Sequence, residues 1–151
     1  MKSFKLYALS LIALLSFSCK DSPTNGEKPI IDGTCEVEIS STQFEFDNKE
    51  NSGIITLDTD FWWINEGIKI RKDTTSYYCW EKDSCVTINR MDGKQNVITE
   101  IVGDWFSIIK TSGNSLSVNV TRNDEGIERG FSFGIQSGNC YWNASVTQHP
   151  E

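Results

Sequence analysis

Cys35, Cys79, Cys85 and Cys140 offer four thiols that can close two disulfides or hold a tetrahedral metal ion. A structural zinc site needs closely paired ligands, and no C-x2-C pair occurs among the four, so no metal site is expected. Three disulfide pairings remain. Tyr77-Tyr78-Cys79-Trp80 and Ser84-Cys85-Val86-Thr87-Ile88 read as hairpin arms around Glu81-Lys82-Asp83, which favours Cys79 with Cys85. Cys35 and Cys140 are then left for each other. Each opens an expected strand, the first and the last of the domain, and their starts meet if those strands lie parallel and adjacent. A loop of about 100 residues closed in this way contributes up to ~4.7 kcal/mol in the chain-entropy model.

Other reactive groups give less. The single histidine, His149, is third from the end of the sequence, where chains commonly fray, so a Ser/His or Cys/His nucleophile pair is not expected. A two-carboxylate glycosidase needs two acids held about 5 to 9.5 Å apart beside a sugar cleft, and nothing in the sequence selects such a pair. The acidic residues read as a solvated outer face. Asp58, Asp60, Asp92 and Asp124 fall in loops, but no D-x-D-x-D-G calcium loop is present. The sequence therefore predicts a protein without catalytic residues or cofactors.

Aromatic side chains are the remaining candidates, because the C–H face of a sugar stacks on a flat ring while polar neighbours supply hydrogen bonds. In the Cys79 arm, Tyr78 and Trp80 alternate onto one side with Cys79 turned away, and a short closed hairpin has little interior in which to hide them. Trp63, Trp105 and Tyr141 fall on the less certain face. The expected ligand contacts are Tyr78, Trp80, Trp63 and Trp105. Trp62 and Trp142 keep register with core positions and read as structural.

The elements that must position these residues are strands. Period-two alternation recurs from Cys35 onward with turn residues at nearly every interval, and helical periodicity is absent after the N-terminal segment. Phe44/Phe46, Ile55/Leu57, Trp62/Ile64, Leu116/Val118/Val120, Phe131/Phe133/Ile135 and Trp142/Ala144/Val146 mark inward faces. Met91-Asp92-Gly93, Thr111-Ser112-Gly113-Asn114, Asn123 to Gly126 and Ser137-Gly138-Asn139 mark turns. Arg129 opens a strand after a polar turn, where its head can remain solvated and is expected to make a salt bridge or a turn contact. The pattern predicts an all-β, immunoglobulin-like antiparallel β-sandwich with an inserted disulfide-closed hairpin.

Lys2 and Lys5 precede an apolar run from Leu6 to Phe17, about 12 residues long and shorter than the ~20 of a membrane-spanning helix. Leu15-Ser16-Phe17-Ser18-Cys19 resembles a bacterial lipobox, which implies acylation of the Cys19 thiol and cleavage just before it. The expected organisation is a signal peptide over 1–18, a lipidated Cys19 with a flexible tether through residue 34, and one domain over 35–151. Lys20-Asp21 is similar to the export signal of surface lipoproteins in the Bacteroidetes. The expected location is the outer membrane, facing the cell surface, with a periplasm-facing lipoprotein as the alternative. The net charge of -7, with no basic stripe, argues against a nucleic-acid partner.

The C-terminal half of the domain carries an ordered set of motifs: Asp104-Trp105, Thr111-Ser112-Gly113-Asn114, Leu116-Ser117-Val118-Asn119-Val120, Asn123, Glu128-Arg129, Phe131-Ser132-Phe133-Gly134-Ile135 and Val146-Thr147-Gln148. Together with Phe44-Glu45-Phe46, Ile54 to Thr59 and Trp62-Trp63-Ile64, this order resembles a BACON domain, an immunoglobulin-like module of Bacteroidetes surface and polysaccharide-degrading proteins. The resemblance covers about 115 residues. The Gly67 to Gly103 segment is longer than the family's usual connection. Taken with the acylation expected at Cys19, the resemblance implies a non-catalytic cell-surface module that contacts glycan or a surface protein, or a structural spacer or assembly component of the outer-membrane surface with no ligand site. Asp73-Thr74-Thr75 also resembles an acceptor for O-glycosylation in secreted Bacteroidetes proteins.

Overall fold

Side chains that alternate between apolar and polar can satisfy both water and a core only if the backbone is extended, and the described residues form ten strands accordingly. The computed structural model describes residues 34–151; the expected signal segment 1–18, Cys19 and the tether up to residue 33 lie outside the described residues. The strands are β1 (Gln43–Phe46), β2 (Asn51–Thr56), β3 (Trp63–Lys72), β4 (Thr75–Cys79), β5 (Val86–Met91), β6 (Lys94–Gly103), β7 (Phe106–Ser112), β8 (Ser115–Val120), β9 (Arg129–Ser137) and β10 (Cys140–Gln148). They form two five-stranded sheets, β1-β10-β9-β3-β4 and β2-β8-β7-β6-β5. The fold is the expected all-β sandwich. Its neighbours pair antiparallel except β1 and β10, which run parallel.

Inward positions of both sheets supply the core. Ile68 and Ile70 of β3, Phe131, Phe133 and Ile135 of β9, and Ala144 and Val146 of β10 meet Ile55, Ile101, Ile108, Leu116 and Val118 of the second sheet. The Phe106 and Phe131 rings bridge the layers, stacked with centroids 4.1 Å apart. Trp62 is buried as expected, its indole N–H donating to the Gly113 carbonyl at 2.7 Å, and Trp142 packs half-buried against the core. Asp92-Gly93 closes β5 on β6 as a two-residue turn, where Gly93 takes the left-handed conformation (φ 73°) that such a turn requires.

Both disulfides form, Cys35–Cys140 and Cys79–Cys85. The geometry around them differs from expectation in two respects. Cys79 and Cys85 do not face each other across a hairpin. β4 pairs with β3, at the edge of the first sheet, while β5 pairs with β6, at the edge of the second. The disulfide therefore ties a crossing between the two layers. Period-two alternation fixes which side a residue faces, not which strand it pairs with, so both arrangements fit the same residues.

The second difference lies at the start of the domain. Cys35 to Ser40 makes no strand of its own; Ile39 forms a single bridge with Leu57 beside the second sheet. The chain then moves to the first sheet, where β1 runs parallel to β10 from the Gln43/Ser145 pair onward. Cys35 still reaches Cys140, with Cα atoms 5.1 Å apart, because the entering segment passes the beginning of β10 before β1 pairs with it.

Candidate functional site

At the edge of the first sheet, Cys79 is buried, whereas Tyr78 and Trp80 point outward, 63% and 49% exposed. Their rings lie nearly parallel, centroids 6.5 Å apart at 23°. Behind Trp80 is Gly67 of β3. A Cβ there would stand 2.9 Å from two carbons of the indole, so the absence of a side chain lets the ring settle against the β3 backbone. Trp80, Glu66, Glu81 and Lys82 border an open recess of ≈640 Å³.

The loop carrying Trp80 is held at several points. The Cys79–Cys85 bridge spans it, the Trp80 N–H donates to the Asp83 carboxylate and the Asp83 N–H donates to the Trp80 carbonyl, both at 2.8 Å. Arg90 of β5 reaches across, its guanidinium 2.8 Å from both the Glu66 and the Glu81 carboxylates, and donates to the Gln95 carbonyl at 2.7 Å. Hydrogen bonding from Arg90 holds the Glu81 carboxyl below the usual glutamate range, and the two acids in turn push Arg90 up. Glu81 is therefore an ionised acceptor at neutral pH and not a proton donor. An aromatic surface on a loop so restrained loses little entropy when it meets a ligand.

Trp63 lies apart from this pair. It is half-buried and meets the exposed Phe61 ring edge-on at 5.8 Å. Both line a second recess, ≈530 Å³, with Met91, Lys94 and Lys110. Lys110 is spoken for: its ammonium sits 4.0 Å over the Trp62 ring and donates to the Trp62 carbonyl at 3.3 Å, and burial pushes its pKa down.

Trp105 is not a surface ring. It is 4% exposed, packed edge-on against Phe106 and Phe131 beneath the Arg129 guanidinium. It precedes β7 in a bend, so the alternation that would have turned it away from Phe106 does not apply. Arg129 makes the expected turn contact, donating to the carbonyls of the turn before β9, and pairs with Glu125; its head is however buried, 3% exposed, and not solvated.

One feature of the first sheet escaped the aromatic reading. The outward positions of the central strand β9 are Gly130, Ser132, Gly134 and Gln136, and the small residues Gly130 and Ser132 leave a trough over their part of the strand. Lys69 and Arg71 of β3 flank it on one side, and Asn143, Ser145 and Thr147 of β10 on the other, with ≈210 Å³ between them. Tyr141 leans over Gly134 from the β10 side. The signal was present in the sequence as the alternation of glycine and serine between Phe131, Phe133 and Ile135.

No family model matches the chain, and no curated protein matches its sequence. The fold is similar to that of a protein from Bacteroides thetaiotaomicron solved by NMR, with a TM-score of 0.55 at 15% identity, over 84% of this chain and 97% of that one. An endo-fucoidan hydrolase from glycoside hydrolase family 107 matches with a TM-score of 0.30 at 16% identity, over 72% of this chain and 12% of that one. The first is a likeness of fold; the second touches a small part of a much longer enzyme.

Proposed function

We propose that this protein is a non-catalytic, lipid-anchored module of the BACON type on the outer membrane, and that its Tyr78–Trp80 edge binds glycan. The observation that carries the reading is the pair of exposed, nearly parallel rings, Tyr78 near the end of β4 and Trp80 on the loop that follows, which is fixed by a disulfide, a turn and the Arg90 ion pairs. Large exposed rings expose apolar area to water for no benefit to the fold, and restraint of their loop is of most use when they meet something. Sugar faces fit this geometry because they stack on flat rings, and the carboxylates of the neighbouring recess accept hydrogen bonds from hydroxyl groups. Anchorage through Cys19 and a flexible tether would hold the domain away from the membrane, as capture of an external polymer requires.

A glycan-array screen of the purified protein, followed by titration of the glycans retained, tests this. Trp80→Ala should weaken binding about tenfold or more with the melting temperature unchanged. Gly67→Ala serves as an independent variant, since the added methyl displaces the indole without removing it. Destabilisation by Trp80→Ala with binding intact, or an array on which nothing is retained, would favour the spacer reading and overturn this one.

A further inference from the structure

The trough along β9 continues the Tyr78 edge across the sheet. Tyr78 pairs with Lys69, Lys69 with Ser132, and Ser132 with Ser145. Their neighbours Ile68, Ile70, Phe131, Phe133, Ala144 and Val146 are buried, so these four side chains share the outer face in one row. At ~4.8 Å per strand the row spans about 14 Å, with an aromatic ring at one end and a polar group at each strand thereafter. Asn143, one pleat along from Ser145 on β10, adds an amide beside it.

Charge sets this face apart. The whole chain carries -7, yet the trough is lined by two cations and by no carboxylate. The two cations are not equivalent. Arg71 is engaged, its guanidinium 2.6 Å from Glu128 and 3.5 Å from the Thr147 hydroxyl. Lys69 is exposed, its ammonium 6.0 Å from the centre of the Tyr78 ring. Among the described residues, the Lys69 ammonium, the Ser132 and Ser145 hydroxyls and the Asn143 amide make no hydrogen bond to protein.

A free ammonium, two hydroxyls and an amide beside an aromatic ring, in a shallow channel with glycine in its floor, suit an extended, flat, polar and negatively charged ligand. We infer that the glycan bound by this face is an anionic saccharide whose carboxylate or sulfate is taken by Lys69, with Ser132, Asn143 and Ser145 meeting its hydroxyl groups and Tyr78 stacking on the adjoining ring. This rests on the glycan-binding reading and adds the charge of the ligand and the path it follows. A chain this acidic repels polyanions in general, so retention of one marks a local site and not bulk attraction.

The test titrates the purified protein with polygalacturonate, sulfated dextran and unmodified dextran at about 50 and about 200 mM salt. At least one polyanion should bind, with affinity falling as salt rises. Lys69→Gln should weaken it about tenfold, Asn143→Ala should weaken it too, and Lys49→Gln, on an exposed lysine elsewhere, should leave it unchanged. Melting temperatures check that each variant is folded. Preference for polygalacturonate identifies a carboxylate, and preference for sulfated dextran identifies a sulfate. Binding of neutral glycans alone, or indifference of polyanion binding to Lys69→Gln, overturns the anionic assignment while glycan binding stands. Polyanion binding that survives Trp80→Ala supports the trough and removes the Trp80 platform from the function. Failure to bind any saccharide overturns both.

Discussion

Arg129 is the residue whose loss the fold should feel most sharply among its charged side chains. Its guanidinium lies 4.4 Å over the Trp105 ring, donates from Nε to the Gln148 side-chain carbonyl at 2.9 Å, and donates from Nη2 to the backbone carbonyls of Thr121 and Arg122 at 2.8 and 2.9 Å. Glu125 stands at 3.4 Å as its counter-ion, but that carboxylate is 41% exposed. Burial pushes the Arg129 pKa down and Glu125 partly offsets this; the guanidinium nonetheless remains charged at any pH used for folding studies. Gln148 extends the network to the Lys49 and Thr121 carbonyls, and Asn123 closes the same end of the sandwich by donating to the Ile127 and His149 carbonyls.

Arg129→Met keeps most of the stem and removes the donors. One buried and two partly buried acceptors then lose a charged partner at about 1 to 1.5 kcal/mol each, while part of the cost of burying the charge is returned. The balance is a loss of roughly 2 to 4 kcal/mol, and Arg129→Ala should add about 1 kcal/mol by uncovering the Trp105 face. Glu125→Gln should cost under about 0.5 kcal/mol, because its carboxylate is solvated. Urea denaturation followed by tryptophan fluorescence measures all three as shifts in midpoint at constant slope. Equal losses for Arg129→Met and Glu125→Gln would mean that the ion pair, not the buried hydrogen-bond network, supports this end of the fold. An Arg129→Met variant within about 0.5 kcal/mol of the parent would refute the reasoning outright.

The two disulfides should separate stability from function. Their partners are 105 and 6 residues apart, which gives chain-entropy contributions of up to about 4.7 and about 2 kcal/mol. Replacing Cys35 and Cys140 by Ser should lower the melting temperature more, whereas replacing Cys79 and Cys85 should impair glycan binding more; the reverse order in calorimetry and titration would contradict this. Acid should weaken the fold through two carboxyls, Glu128 beside Arg71 and Glu81 beside Arg90, both held below the ordinary glutamate value of 4.5 by hydrogen bonds from those arginines. The unfolded chain takes up protons first, so their contribution is complete above about pH 4.5 and is lost as the pH falls through the lower folded values. Urea midpoints from about pH 6 to about pH 3 should fall less steeply for Glu128→Gln than for the parent.

What was legible in the sequence was orientation, and what was not was partnership. Leu116, Val118 and Val120 could be placed inward from their spacing, as could Phe131, Phe133 and Ile135, and all are buried. Tyr78 and Trp80 could be placed together opposite Cys79 for the same reason. Pairing is a longer-range matter. The turn that sends β4 back along β3 is Asp73-Thr74, with Asp73 itself in the left-handed conformation (φ 50°), and it lacks the glycine that marks the neighbouring turns. Without that turn, the Cys79 arm had only the Cys85 arm as a visible partner. Trp105 failed for a different reason, because a residue in a bend obeys no alternation. For Arg129 the turn contact was legible but the burial was not, because nothing local announces that two turn carbonyls and a glutamine from the last strand will converge on one guanidinium.

The position of the candidate site follows from the crossing that the sequence concealed. Had β4 and β5 formed a hairpin, residues 80 to 85 would have been a simple turn between paired strands. Because they instead carry the chain from the edge of one sheet to the edge of the other, their backbone has no ladder to complete and must be fixed by other means. The disulfide, the Asp83 turn and the Glu81–Arg90 pair supply these. A loop fixed in this way can hold a tryptophan half in water at the end of a sheet whose outer face is floored by glycine and serine. Loss of the Cys79–Cys85 bridge should therefore release the ring from the Gly67 backbone while leaving both sheets intact, and that pairing of outcomes distinguishes a binding edge from a structural seam.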